Sequence, residues 1–326
     1  MVFTSDAPDL VAGAGRTCTG ELGDTGRRCN AVFIHDRKRG ITQLVSASSG
    51  GQQANAPSYG LGVSADGRYV LFTSWASNLA PNDHNTCESS LDVTLASCKD
   101  AFVRDRRTGT TTLVSISAGG TQDSSPVAYA SMSDDGRYVA YCCARGENDT
   151  SNYGVVVRDM RSGETTFVGG GDGIRTCCQD AAISADGAVV AYHDDFTPYV
   201  AFRVSPTPTA VPRGNGQTWS HALSADGRWL ALESFSTDLM PGDRNGDNGD
   251  CFLYDTIDHR TIPVSIADDG SSLPQGSTQC LVSEDGFVAS FSTIGVPIGG
   301  DTNHHVDVYI RSRKTGAIER VSVPNS

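Results

Sequence analysis

The sequence predicts an all-β protein, a six-bladed β-propeller of four-stranded blades whose first blade lacks its innermost strand. Three observations carry that expectation. One segment recurs five times: SADGRYVLF from Ser64, SDDGRYVAY from Ser133, SADGAVVAY from Ser184, SADGRWLAL from Ser224 and SEDGFVASF from Ser283. A second recurs six times: VFIHDRKRG from Val32, AFVRDRRTG from Ala101, VVVRDMRSG from Val155, VAFRVSPTP from Val200, CFLYDTIDH from Cys251 and VYIRSRKTG from Val308. Period-two alternation and β-branched residues run throughout, and no amphipathic helix stands out. Such self-similarity marks a repeat architecture.

Taken in order, strand A ends at Ser-x-Asp-Gly, and the Asp-Gly pair makes a tight turn into an apolar strand B. Strand C is the second recurring segment, and its polar turn leads to strand D, as in TTTLVSIS from Thr110. The turn aspartates are Asp66, Asp135, Asp186, Asp226 and Asp285, separated by 69, 51, 40 and 59 residues. The shortest spacing matches the roughly 40 to 50 residues of a four-stranded blade, and the excess is loop. The blades then run approximately over 1–50, 51–120, 121–170, 171–213, 214–268 and 269–326, as one domain. The start, VFTSDAPDL from Val2, matches FTSWASNL from Phe72, which is strand B and its exit. Blade one therefore has no strand A in this chain, and a seventh blade would need about one more unit upstream. Radial repetition leaves only short, protected sheet edges.

The Ser-x-Asp-Gly strand followed by FVRDRxTGxTxxVS from Phe102 resembles the WD40-like repeats of TolB-type bacterial β-propellers. The resemblance covers nearly the whole chain. It implies the fold and little about the activity, because that family mixes protein-binding scaffolds, enzymes and propellers attached to hydrolases. The Asp box of sialidases is a different motif, with a residue between Asp and Gly. Here, as in Asp226-Gly227, the two are adjacent.

Composition narrows the partners. The 326 residues carry a formal charge of −13, with a pI near 4.8. Nucleic acid is excluded as a partner, because phosphate binding needs a basic patch. No run approaches the roughly 18 apolar residues of a membrane span. An acidic surface suits cation binding and equally serves solubility.

Ten cysteines point to disulfides and an oxidising compartment, extracellular or periplasmic. Cys18 and Cys29, and likewise Cys87 and Cys98, are eleven apart in corresponding insertions and read as local loop closures. The doublets Cys142-Cys143 and Cys177-Cys178 read as cross-paired, and Cys251 with Cys280 as a further pair, although spacing alone proves no connectivity. Zinc is the competing reading, but no CxxC or HxxxH accompanies these residues. Met1 opens on VFTSD and not on a secretory leader, so the natural beginning is expected upstream.

Two places could carry chemistry. The first is the B–C loops. GDRNGDNGD from Gly242 spaces Asp243, Asn245, Asp247 and Asp250 as oxygen ligands suited to Ca²⁺. The pattern resembles the first half of an EF-hand loop without its closing Glu. Blade six has a thinner copy in Asp301, Asn303 and Asp307, and blade two has Asp83, Asn85 and Asp100. The competing reading is an Asx-turn loop. The second place is the channel mouth. Tyr59, Tyr129, Asp180, His221 and Gln279 approach strand A, while Trp75, Arg145, His193 and Glu233 leave strand B. His221, His193, Tyr129 and Arg145 are the catalytic candidates, able to abstract a proton from a uronic acid while Arg holds its carboxylate. Tyr59, Asp180, Gln279, Glu233 and Trp75 are ligand-binding candidates. The bland alternative is a polar, water-filled pore.

His304-His305 reads as a solvated doublet, Asn148-Asp149-Thr150 as a chance sequon, and the recurring Arg-Asp of strand C as a pair local to each blade. No GxSxG or HExxH occurs. The expectation is a secreted, calcium- and disulfide-stabilised module that binds a carbohydrate or a protein. The alternative is a polysaccharide lyase or hydrolase acting at the channel mouth. Oligomeric state is not legible.

Overall fold

The computed structural model describes residues 1–12, 14–15, 29–85, 87–88, 94–95, 98–123, 126–127, 129–144, 153–169, 179–194, 196–243, 245–299 and 305–323. Every regular element among them is a β-strand. The chain divides into two compact units, Met1–Ala181 and Ala182–Ser326.

In the first unit, blade one has three strands among the described residues, Val2–Ser5, Ala31–Asp36 and Ile41–Leu44, with no strand A before Val2–Ser5. Blade two pairs Ser58–Val63, Tyr69–Ser74, Asp100–Asp105 and Thr110–Leu113, with a two-stranded hairpin, Cys87–Glu88 and Thr94–Leu95, in its B–C insertion. Blade three pairs Ala130–Met132, Tyr138–Ala144, Tyr153–Asp159 and Thr165–Gly169. Blade four runs Gln179–Ile183, Val189–Asp194, Thr197–Phe202 and Ser205–Ala210, its first strand spanning the division between units. In the second unit, blade five is Thr218–Leu223, Trp229–Ser234, Asp250–Asp255 and Arg260–Pro263. Blade six is Thr278–Val282, Val288–Thr293, Asp307–Ser312 and Ile318–Arg320. In each sheet the strands lie in chain order, A-B-C-D.

Strand B departs from the alternating pattern expected of it. In blade five every residue of Trp229–Ser234 is buried. Side chains alternate between the two faces of a strand, and here both faces are covered. Val70 and Phe72 pack with Val32 and Ile34 of blade one, whereas Leu71 packs with Val139 and Tyr141 of blade three. In the second unit Leu230 and Leu232 join Val189 and Ala191 of blade four, while Trp229 and Ala231 join Phe291 and Tyr309 of blade six. Alternation survives in the outermost strand, as at Thr110–Leu113.

The Ser-x-Asp-Gly turn has one geometry in all five copies. Ser64 Oγ donates to Asp66 Oδ1 at 2.7 Å, the Arg68 amide donates to the same oxygen at 2.9 Å, and the Tyr69 amide donates to Ser64 Oγ at 2.9 Å. The other four turns repeat these bonds. Glycine is required twice over. Gly227 has φ +72°, where a Cβ is strained, and a Cβ there would lie 2.6 Å from Val189 Cγ2 of blade four. Neighbouring turns are also joined by backbone, Ala65 to Asp134 and Ala225 to Glu284, each at 2.8 Å.

The strand C Arg-Asp divides its work. The aspartate pairs within its blade: Asp105 receives both arms of Arg68 at 3.0 and 2.6 Å, and Asp159 and Asp255 do the same with Arg137 and Arg228. That pairing holds the Asp105 carboxyl well below the usual range. The arginine, expected to act locally, also reaches the preceding blade. Arg104 Nη1 donates to the carbonyls of Ala47 and Ser48 at 3.0 and 2.8 Å.

Candidate functional site

Strand A carries a bulge in several blades, and bulges re-aim side chains. The ladder shifts between Gly60 and Gly62, between Ser220 and Ala222, and between Thr278 and Leu281. His221 is the extra residue in blade five. Asp180 and Gln279, each four residues before the turn serine, have φ of +54° and +57°. Non-glycine residues held there are strained, and such strain clusters at binding and active sites.

In the second unit these features converge. His221 Nε2 lies 3.4 Å from Glu233 Oε2, close enough to pair but without hydrogen-bond alignment. Glu233 is 8% exposed, and its Oε2 accepts the Gln279 amide at 3.1 Å. Gln279 Oε1 accepts Ser292 Oγ at 2.9 Å. Ser220 Oγ stands 3.5 Å from His193 Nδ1. His193 is 3% exposed, and burial, with His221 as a lesser cause, pushes its pKa down to about 4. Buried His193 is thus held neutral, whereas His221 is more open and stands beside Glu233.

An aromatic run adjoins this polar group. Trp219 packs edge-on between Phe196 and Phe235, with ring centroids 5.8 and 5.0 Å apart. Phe196 is exposed, at φ +70°, and its carbonyl accepts the Thr218 amide at 3.1 Å. Blade four makes this arrangement possible. Its B–C connection is short, with Asp194 already paired to Thr197. Neither Phe196 nor the pairing of Trp219 with Phe235 was expected from the sequence. The signal was the 40-residue spacing, which leaves blade four no room for a B–C insertion.

The other channel-mouth candidates belong to the first unit or lie outside the described residues. Tyr59 packs edge-on against Trp75 at 5.9 Å and accepts Asn30 Nδ2 at 3.1 Å, and Lys99 Nζ lies 5.3 Å from the Trp75 ring, all in the first unit. Tyr129 is exposed and belongs to the same unit. Arg145 lies outside the described residues. The positions read as a ring are also not equivalent: counted back from the turn serine, Tyr59 is five residues away, Tyr129, Asp180 and Gln279 four, and His221 three. On strand B, His193 and Glu233 are equivalent, nine residues after that serine, where blades two and six place Thr73 and Ser292.

The B–C loops fold onto the D–A connections. In blade five Asn245 Nδ2 donates to Asp250 Oδ1 and Oδ2 at 3.2 and 3.1 Å and to the Leu273 carbonyl at 2.8 Å, while the Asn245 amide caps Asp243 Oδ1 at 2.9 Å. Burial pushes Asp250 up to about 6. Asp247 is exposed and takes no part in this cluster. In blade two Asp83, Asn85 and Asp100 meet Gln122 in the same way, and burial pushes Asp100 up to about 7. In blade six Asp307 accepts Ser322 Oγ and pairs with Arg320 at 3.4 Å, whereas Asp301 and Asn303 lie outside the described residues. Among the described residues no three His, Cys, Asp or Glu side chains form a metal-binding group by themselves.

Cys251 and Cys280 form a disulfide joining strand C of blade five to strand A of blade six, with Cα atoms 5.5 Å apart. Cys29, Cys98 and Cys142 are also disulfide-bonded. Cys18, Cys177, Cys178 and the side chains of Cys87 and Cys143 lie outside the described residues. Among the described residues no helix is long and apolar enough to cross a membrane.

Comparison with known proteins gives the class. No protein-family model and no curated protein sequence matches the chain. Solved structures do. The β-propeller domain of the Trilobed protease from Pyrococcus furiosus aligns with a TM-score of 0.56 at 12% identity, over 92% of this chain and 79% of that one. An oligogalacturonate lyase in complex with manganese aligns at 0.54 and 12%, over 93% and 72%. TolB from Acinetobacter baumannii aligns at 0.44 and 10%, over 90% and 65%. At these identities the likeness concerns the fold alone: the chain is a six-bladed β-propeller.

Proposed function

We propose that this chain is a binding module of an oxidising, extracytoplasmic compartment that holds a carbohydrate at the strand-A end of its second unit. The observation that carries this reading is the Phe196–Trp219–Phe235 run beside His221, Glu233 and Gln279. Edge-on packing fixes the indole, so its face meets a sugar ring at little entropic cost, and the polar groups orient the hydroxyls. The disulfide supports the compartment. A glycan array followed by calorimetry tests the reading. Trp219→Ala should weaken the selected glycan by about 2 kcal/mol or more, the size of an aromatic hot spot. Undiminished binding in that variant removes the site. An array silent for glycans, with a protein ligand captured instead, replaces the ligand class.

A second reading, a polysaccharide lyase, is favoured by the His221–Glu233 pair alone. It requires new unsaturated-uronate absorbance from an acidic glycan, lost in His221→Ala.

A further inference from the structure

We propose that blades two and five each bind a Ca²⁺ ion where the B–C loop folds onto the D–A connection, through Asp83, Asn85 and Asp100 in one and Asp243, Asn245 and Asp250 in the other. This goes beyond the carbohydrate reading and uses none of its residues.

The pointer is a pair of oxygens orphaned twice. Asp83 is 6% exposed. Its Oδ1 accepts Gln122 Nε2 at 2.9 Å, while its Oδ2, buried, accepts nothing. Asn85 donates Nδ2 to the Asp123 carbonyl at 2.7 Å and to Asp100 Oδ1 at 3.4 Å, and its buried Oδ1 likewise accepts nothing. In blade five the same two atoms, Asp243 Oδ2 and Asn245 Oδ1, are again buried and without a donor. A buried acceptor left unmade is costly, and most such atoms in folded proteins are satisfied. Repetition of the same pair in two blades points to a shared missing partner.

Charge says what that partner is. Asp105, Asp159 and Asp255 each face an arginine. Asp307, the first residue of strand C in blade six, faces Arg320. Asp100 and Asp250 hold that same first position in their blades, and no Arg or Lys among the described residues pairs with them or with Asp83 or Asp243. Their hydrogen-bonding neighbours are amide nitrogens and the hydroxyls of Ser115 and Ser265, at 2.5 and 3.2 Å, and in blade two the Asp123 carboxylate also acts on Asp100 and the His84 imidazole on Asp83. The amide nitrogens of Asn85 and Asn245 bridge carboxylate to backbone carbonyl. Rotation of either amide by half a turn replaces that nitrogen with its orphaned oxygen. Carboxylate, amide and carbonyl oxygens are then the whole donor set, which selects a hard cation. A loop-built, irregular set with two carboxylates suits Ca²⁺ better than Mg²⁺, which demands near-octahedral order.

The test is calorimetric titration of CaCl₂ into the EDTA-dialysed full chain, with thermal unfolding in EDTA and in millimolar CaCl₂. Two sites are expected. Asp83→Asn should remove one, Asp243→Asn the other, and the double variant both, together with the calcium-induced rise in Tm. In EDTA these isosteric changes should leave Tm unchanged or raise it, since each removes a carboxylate oxygen that is buried without a donor. A purely structural hydrogen-bond role predicts the reverse, equal destabilisation with and without calcium, and that result overturns the proposal. So do absence of binding in the wild type, undiminished binding in the double variant, or binding of MgCl₂ and not CaCl₂.

Discussion

The two ends of a blade obey different rules. At the Ser-x-Asp-Gly end five turns share the same bonds, the same left-handed glycine and the same hydroxyl-to-carboxylate cap. At the other end equivalent positions diverge: Thr73, Cys142, His193, Glu233 and Ser292 occupy one strand B site in five blades. The difference teaches where constraint comes from. The turn packs against the preceding blade, so its geometry is dictated by the repeat. The opposite end carries loops, which tolerate change, and binding residues gather on loops placed by a rigid scaffold.

Three substitutions break or sharpen that contrast. The largest effect should come from Gly227→Ala. It places a Cβ at φ +72° and against Val189. Strain and overpacking together should cost about 2 to 5 kcal/mol. Urea unfolding reads this, and a loss under about 1 kcal/mol would show that the turn end is not the constrained one. Next is the staple at the variable end. Replacing Cys251 and Cys280 by Ala together should cost about 2 to 4 kcal/mol, and reducing agent should destabilise the wild type but leave the contribution of this pair absent in the variant.

The smallest effect belongs to His193, at the variable end. Its folded pKa of about 4 lies below the usual imidazole value of about 6.5. Between these values the unfolded chain binds more protons than the folded one, so stability rises with pH across that window. The contribution is complete above about pH 6.5 and is lost as pH falls toward 4. His193→Gln should flatten this part of the stability profile without moving the acid limb below it. That limb comes from carboxylates such as Asp105, whose pairing with Arg68 is lost only at lower pH.

Much of the fold was legible because the chain repeats itself: Ser-x-Asp-Gly marks a turn whose serine and aspartate caps are local, within five residues. The absent strand A of blade one followed from comparing Val2 with Phe72. The candidate site was legible in part. His193, His221, Glu233 and Gln279 were singled out, and the structure brings them together. Tyr59 and Trp75 form an edge-on pair in the first unit. Phe196 was missed because its exposure depends on a left-handed turn in a short hairpin that no residue type signals. Asp247, chosen for its spacing in the loop, turned out exposed, because spacing along a chain does not say which side of a loop faces its neighbour.

From sequence alone come the class of fold, the blade order and the turn chemistry, since these rest on hydrogen bonds and side-chain alternation between residues a few positions apart. The acidic loops and cysteines were likewise visible as composition. Tertiary structure decided which of them converge. Asp100 and Asp250 meet an asparagine amide while Asp307 meets Arg320, because their partners arrive from other segments of the blade. Strand B proved buried on both faces for the same reason. Its pattern is set by two neighbouring blades, and the identity of a residue does not encode what packs against it across the gap.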